Sequence, residues 1–142
     1  MKKSILAALT GAVLTAFSCH LQAAEVDIVL HHRINSDLRD GMKIATGRII
    51  CRGTHTGFQV WINTHQLENS PGHYIIKGKR DDSHVLRVRI DGAEWSPSVT
   101  NDHEGAVRSY SQNGQVVFDV VADGNQHVAQ DEYIYPVAGE CL

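Results

Sequence analysis

Cysteine and histidine are the residue types in this 142-residue sequence that could carry chemistry. The three cysteines are Cys19, Cys51 and Cys141, and nine histidines are scattered along the chain. Adjacent His31 and His32 would point to opposite faces of a strand, and neither pairs with another His or Cys at a spacing found in zinc sites. The His-x-His pattern of a copper–zinc dismutase sandwich is absent. We therefore expect no metal site and no cofactor.

The sequence also lacks the arrangements that support catalysis. The Gly-x-Ser-x-Gly elbow of serine hydrolases does not occur, and the carboxylates are spread over turn-forming segments, as expected of a solvated surface. We predict no catalytic residues and no enzymatic activity.

The N-terminal segment has the order of a secretory signal. A positively charged start precedes the apolar run Ile5–Phe17, which is shorter than the roughly 20 residues needed to span a bilayer. A small residue precedes the predicted cleavage point, so we expect a signal peptide over residues 1–23 and a mature domain over residues 24–142. Ala24 is the alternative last residue of the signal. Cys19 raises the alternative of a lipid anchor, but the residues before it lack the leucine usual in a lipobox.

Cleavage would change both the charge and the cysteine count. It removes two of the 13 basic residues and none of the 16 acidic ones, leaving a net charge near −5, which makes nucleic acid a poor partner. It leaves Cys51 and Cys141 in an exported chain, where thiols oxidise. We therefore expect one disulfide, closing a loop of about 90 residues and stabilising the fold by roughly 4–5 kcal/mol, less any native strain.

These cysteines must be positioned by strands, because apolar residues alternate with period two and no stretch sustains a helical period for three turns. About 119 mature residues suffice for one domain with one core. Seven strands at this spacing favour a two-sheet sandwich, whereas Ser96–Asn113 is polar, and we expect a long loop with weak pairing there. The predicted strands are Glu25–His31, Met42–Arg52, Gly57–Asn63, His73–Lys77, Val85–Ile90, Gln115–Ala122 and Tyr133–Leu142.

The order Cys51, Trp61, Cys141 is typical of immunoglobulin-like sandwiches. It predicts that Trp61 packs in the core beside the disulfide. Tyr133 opens the last predicted strand, where such sandwiches place a corner tyrosine, although it stands eight residues before the cysteine rather than two. If Tyr133 faces inward, alternation puts Tyr135, Val137 and Gly139 on the same face as Cys141.

The last predicted strand suggests an incomplete sandwich. If the strand that holds Cys141 is strand F, one residue follows it and strand G is absent. The result would be an exposed backbone edge and a groove lined by about five apolar side chains. Burying each of these side chains is worth roughly 1.5–3 kcal/mol. Leaving all of them exposed would therefore cost on the order of 10 kcal/mol of folding free energy, which is comparable to the 5–15 kcal/mol stability of a whole domain. Such a chain needs a donor strand from another protein. The candidate groove residues are Tyr133, Tyr135, Val137 and Gly139.

The first strand begins within a residue or two of the predicted cleavage site. A subunit that donates a strand needs an extension ahead of its first strand. We therefore expect this subunit to accept a strand without donating one, which is the property of a subunit at the tip of a fibre.

Several long segments carry a family resemblance: Leu38–Arg52, His55–Asn63, Trp95-Ser96-Pro97, Val117–Val120, Ala122–Gln126, Glu132-Tyr133 and Gly139-Glu140-Cys141. On these segments the chain resembles the minor, invasin-type subunits of the Afa/Dr fimbrial family and of the related aggregative adherence fimbriae. Gln130-Asp131 is a departure, since relatives tend to have Pro-Gly there.

The resemblance implies an incomplete immunoglobulin-like domain of the pilin type, exported through the periplasm to the fimbrium tip. The implied partners are a periplasmic chaperone, an outer-membrane usher and a major fimbrial subunit that donates the missing strand. It also implies host-cell attachment and invasion, with integrins as the receptors usually proposed. The alternative is a self-contained secreted or periplasmic immunoglobulin-like module that binds its ligand outside a fibre.

The sequence gives little information about which residues contact the host. Arg39-Asp40-Gly41 has the letters of an integrin motif in the wrong order and reads as a turn into the second strand. Arg87 and Arg89 form a basic stripe on one face of a strand, which is more often a solvated face than a binding site. Trp95, in a predicted loop, is the third receptor-contact candidate.

Overall fold

We describe a computed structural model of the chain over residues 24–30, 37–64, 70–98 and 105–142. The predicted signal peptide, residues 1–23, lies outside the described residues, as do His31 and His32. Within the described part of the chain, no helix has the length and apolar character needed to cross a membrane.

The described chain is built from strands. They are β1 (Glu25–Leu30), β2 (Asp37–Leu38), β3 (Lys43–Ile50), β4 (Phe58–Ile62), β5 (His73–Lys77), β6 (Val85–Asp91), β7 (Ser96–Pro97), β8 (Val107–Ser109), β9 (Gln115–Ala122), β10 (Gln126–His127) and β11 (Val137–Cys141).

Two open antiparallel sheets form the sandwich. The larger has the order β1-β3-β9-β6-β5, and the smaller has the order β11-β4-β8-β7. A two-stranded ribbon of β10 and β2 lies outside both sheets. The predicted all-β fold is confirmed, and each of the seven predicted strands overlaps an observed one.

The core lies between the sheets because alternate residues of the central strands face inward. In β9 the inward residues Val116, Phe118 and Val120 are at most 3% exposed. Close packing of β3 on β9 requires Gly47, since a methyl group there would overlap the Phe118 ring. From the smaller sheet, β4 contributes Phe58, Val60 and Ile62 to the same core.

This arrangement refines one sequence expectation and corrects another. Ser96–Asn113, expected to be a long loop with weak pairing, supplies the short strands β7 and β8 to the smaller sheet; short, polar strands lack the apolar alternation that would reveal their bounds. Trp61 is not a core residue: Val60 and Ile62 take the inward positions, so Trp61 points to the outer face and is half-buried there.

The last strand is shorter than predicted. The chain before β11 contains Pro136, which has no backbone N–H, and regular pairing with β4 begins at Val137. Tyr133 makes an isolated antiparallel bridge with Gly78.

The Cys51–Cys141 disulfide forms as expected. Its Cα atoms are 5.8 Å apart, and it joins the end of β3 in the larger sheet to the end of β11 in the smaller one. The bond therefore ties the two sheets together at one end of the sandwich.

We predict that Cys51→Ser and Cys141→Ser each lower the yield of folded chain from the periplasm. Because the bond closes a loop with a sequence separation of 90 residues, its loss should cost about 4 kcal/mol of unfolding free energy in a urea titration. Cys19→Ser is the matched control and should have no effect. Normal yield and stability in both variants would contradict a structural role for the bond.

Candidate functional site: an open seam between the sheets

Both sheets end on the same side of the sandwich. β1 is the terminal strand of the larger sheet and β11 is the terminal strand of the smaller one. The two strands lie side by side, yet no ladder of hydrogen bonds joins them in the described chain. We call this gap the open seam. It is lined from β1 by Val26, Ile28 and Leu30, and from the β11 segment by Tyr135, Val137 and Gly139.

The backbone of β11 presents an unpaired edge to the seam. Asn63 N donates to Pro136 O at 2.8 Å, and Leu142 N donates to Gly57 O at 2.9 Å. Since bonded and non-bonded positions alternate along an antiparallel strand, the backbone groups of Val137, Gly139 and Cys141 point away from β4. This edge can bind another extended chain.

β1 contributes an apolar inner face and a charged outer face. Val26 and Ile28 pack against the core but are only half-buried, and Leu30, on the same face, is 66% exposed. On the outer face Arg48 donates to Asp27 at 2.9 Å, and the Arg52 guanidinium pairs with Glu25 at 3.1 Å. The β1 side of the seam was not among the predicted groove residues, although the alternation in Glu25–Leu30 could have revealed it.

The seam is narrower at the disulfide end. A methyl group added at Gly139 would come within 2.5 Å of Ile49 Cδ1 and 3.1 Å of Val26 Cγ2. Glycine therefore allows β1 and β11 to approach each other there. At the other end of β1, the exposure of Leu30 leaves apolar surface uncovered.

The four predicted groove residues separate into two groups. Gly139 lies beside Val26 of β1 with no room for a side chain between them, and Val137 and Tyr135 are half-buried against the core. Tyr133 lies elsewhere: its ring is buried, its hydroxyl donates to Ala129 O at 2.6 Å, and its backbone pairs with Gly78 next to β5. That hydrogen bond to the backbone four residues upstream is the geometry of a tyrosine corner.

Tyr135 has a different environment from Tyr133. Its hydroxyl oxygen is buried and makes no hydrogen bond to any described residue. Burial raises the pKa of the Tyr135 hydroxyl, so it remains a protonated donor at physiological pH.

Asp131 fixes the segment that leads into the seam. Its enclosed carboxylate accepts hydrogen bonds from the backbone N–H groups of Arg80 (3.0 Å), Asp81 (3.1 Å) and Glu132 (2.6 Å), and from His84 Nδ1 (3.0 Å). These bonds join the β5–β6 turn to the segment before β11. Burial by itself raises the pKa of Asp131, but the hydrogen bonds outweigh it and lower the pKa to about 2.

Asp131 belongs to the Gln130-Asp131 pair, where the family resemblance leads us to expect Pro-Gly, and its carboxylate lies against Gly78. A side chain at Gly78 would overlap it, since a methyl group there would come within 2.3 Å of Asp131 Oδ2. Gly78 and Asp131 therefore fit together as a pair that sequence inspection did not connect.

The three receptor-contact candidates are not brought together as one surface. Arg89 is held by Asp40 at 2.6 Å and Asp123 at 3.2 Å, and its hydrogen bond lowers the pKa of Asp40. Trp95 is half-buried, its indole donates to Val117 O at 2.9 Å, and it packs edge-on against Phe118. Arg87 is exposed, with its backbone N–H and carbonyl both bonded to the Gln126 side chain.

Arg39-Asp40-Gly41 forms a turn, as the sequence suggests. Met42 N donates to Arg39 O at 3.0 Å, and Gly41 has a φ of 81°, a conformation that favours glycine. Asp40 is directed into the Arg89 ion pair.

Comparisons with known proteins identify relatives of the whole fold. The family described as Enterobacteria AfaD invasin protein matches residues 34–139. AggB of Escherichia coli is 45% identical over 142 residues, which is 100% of this chain and 97% of the relative.

Two solved structures extend the match to three dimensions. HdaB, the minor tip subunit of the E. coli Hda pilus, has a TM-score of 0.77 at 38% identity, covering 84% of this chain and 83% of HdaB. A structure from a study of fibronectin binding and biofilm formation by the AAF fimbriae of enteroaggregative E. coli has a TM-score of 0.75 at 41% identity, covering 84% and 88% of the two chains.

We predict that acid weakens the fold partly through Asp131. Because its folded pKa of about 2 lies below its ordinary value of 3.8, the stabilisation is complete above about pH 4 and is lost as the pH falls toward 2. Asp131→Asn should lower Tm at pH 7 and flatten the decline of Tm between pH 4 and pH 2. The control is Asp82→Asn, in the exposed part of the same turn. Identical pH profiles for wild type and Asp131→Asn would refute this role.

Proposed function

Because the chain belongs to the enterobacterial AfaD invasin protein family, we propose that it is a minor fimbrial subunit at the fibre tip. It accepts a donor strand from the major subunit and mediates attachment to, and invasion of, host cells. Its role is structural and adhesive rather than enzymatic, and it is displayed on the cell surface after export through the periplasm.

The open seam is the observation that carries this proposal. Its occupant must offer backbone N–H and C=O groups to the edge at Val137, Gly139 and Cys141, and apolar side chains to the inner face of the gap. An extended strand with alternating apolar residues meets both needs at once. A helix or a small molecule would leave the backbone edge unpaired.

The same edge supports the inclusion of a chaperone that acts before assembly. A strand edge with adjacent uncovered apolar side chains is a template for aggregation. We therefore include among its partners a periplasmic chaperone that covers the seam and an outer-membrane usher where the donor strand replaces it. Residues 1–23 act as the export signal in this scheme.

The tip position is supported by the match to HdaB, the minor tip subunit of its pilus. Host contact is supported by the fibronectin binding of the AAF fimbriae, and the receptor is a host-surface or matrix protein, with integrins included. Among the three contact candidates Arg87 is the most exposed, whereas Arg89 and Trp95 are held by internal contacts.

We predict that the mature chain without a donor strand is poorly soluble or unfolds over a broad range of temperature. Fusion of the N-terminal donor segment of a major subunit should give a cooperative transition at much higher temperature. The measurement is circular dichroism melting of residues 24–142 with and without the fused segment. A sharp, high-melting transition from the unfused chain would favour a self-contained module instead.

A pair of neighbouring residues separates seam binding from general surface effects. Leu30 and Val29 are 66% and 63% exposed, but alternation directs Leu30 to the inner face of β1 and Val29 to the outer face. Leu30→Asp should weaken binding of a donor peptide at least tenfold, because a carboxylate would be desolvated under the donor strand. Val29→Asp should bind as wild type does. Equal effects in the two variants would argue against a donor in the seam.

A further inference from the structure

The smaller sheet has two edges, and only one of them borders the open seam. Its strand order is β11-β4-β8-β7, so β7 forms the edge opposite β11. Both residues of β7 are exposed. An exposed strand edge is a template for pairing with another chain, so the chemistry of the β7 edge decides how many strands this sheet can accept.

Hydrogen bonds fix which residues of β7 and its flanks face outward. Ser98 N donates to Ala106 O at 3.0 Å, in register with the pairing of β7 and β8. Because bonded and non-bonded positions alternate along an antiparallel pair, Ser96 and Ser98 direct their backbone groups toward β8. The backbone groups of Trp95 and Pro97 therefore face the outer side of the sheet.

This outer side lacks a backbone donor. Pro97 has no N–H, and its ring occupies the space into which an N–H would project. Trp95 has an N–H, but that group already donates to Gly92 O at 3.2 Å. Among the described residues, the β7 edge therefore offers a further strand carbonyl oxygens but no N–H group.

The β11 edge of the same sheet is arranged in the opposite way. Pro136, just before β11, faces β4, and its carbonyl oxygen accepts the bond from Asn63 N at 2.8 Å. The outward positions Val137, Gly139 and Cys141 all keep their N–H groups. A proline therefore accompanies each edge of the smaller sheet, but only the one in β7 takes an outward position.

We propose that Pro97 determines where strands can be added to this subunit: it blocks the β7 edge, so that the smaller sheet accepts one strand, at the seam. This inference rests on the proposed function, because it assumes that the subunit accepts a strand. Proline at the outward position of an edge strand is a recognised way to prevent pairing with other chains. Pro97 thus keeps a second donor strand, or a second copy of this chain, from pairing at β7.

The far edge of the larger sheet is covered by other means. His73 N donates to Ser70 O at 3.2 Å at the start of β5, and Lys79 N donates to Glu132 O at 2.9 Å just beyond its end. The chain itself therefore occupies both ends of the β5 edge. A second bound strand that appears only when Pro97 is replaced would accordingly report on β7.

The experiment counts the strands that the mature chain binds. The probe is a synthetic peptide with the N-terminal donor sequence of a major subunit, added in excess, and the bound number is measured by native mass spectrometry. Pro97→Val and Pro97→Thr restore an N–H with residues that favour strands. The matched control is Pro71→Val, which removes an exposed proline from the turn before β5. Amide hydrogen exchange at position 97 of the variants locates a second bound strand.

The wild-type chain and Pro71→Val should each bind one peptide and stay monomeric at saturation. Both Pro97 variants should bind the first peptide as the wild type does. They should bind a second peptide, or a second copy of the chain, at least about tenfold more tightly than the wild type, with slowed exchange at position 97.

Two results would overturn the inference and leave the proposed function intact. One is a second peptide on the wild-type chain, and the other is a single peptide on a monomer in both Pro97 variants. If no peptide bound the wild-type chain, the inference and the proposed function would fail together.

Discussion

An antiparallel strand has hydrogen-bonding groups on both sides, and β11 uses only one of them within the described chain. Its alternate residues bond to β4, while Val137, Gly139 and Cys141 present theirs to the seam. Backbone groups at such an edge must pair with water or with another chain. Because apolar side chains of β1 and β11 lie beside this edge, pairing with another chain is favoured over pairing with water. The proposed role as a strand acceptor follows from the unpaired edge together with these side chains.

The two sides of the seam are held differently. β11 is fixed at its end by the Cys51–Cys141 disulfide and before its start by the Asp131 hydrogen bonds and the Tyr133 corner. β1 is held by its ladder with β3 and by surface ion pairs, and exposed ion pairs contribute little, about 0–1 kcal/mol each. β11 is therefore held by a covalent bond and side-chain hydrogen bonds in addition to its ladder with β4, whereas β1 is held mainly by its ladder with β3.

Sequence patterns located most of this architecture but not all of its contacts. Period-two alternation identified the long strands because it is a local pattern. The cysteine count identified the disulfide because only two cysteines remain after the predicted cleavage. The bounds of the short strands β7 and β8 were not predicted, because three or fewer residues cannot display a period. Trp61 was assigned to the core by analogy, but the phase of β4 is set by Phe58, Val60 and Ile62. The Asp131 cluster joins groups about 50 residues apart, a pairing that no local pattern reveals.

Amide hydrogen exchange at the β11 edge tests the central claim most directly. The backbone N–H groups of Val137, Gly139 and Cys141 should exchange rapidly in the mature chain alone, and they should become strongly protected when a donor strand is bound. Slow exchange of all three in the monomeric chain alone would mean that the protein covers its own edge, and rapid exchange in the complex would mean that the partner binds elsewhere. Either result would contradict the account.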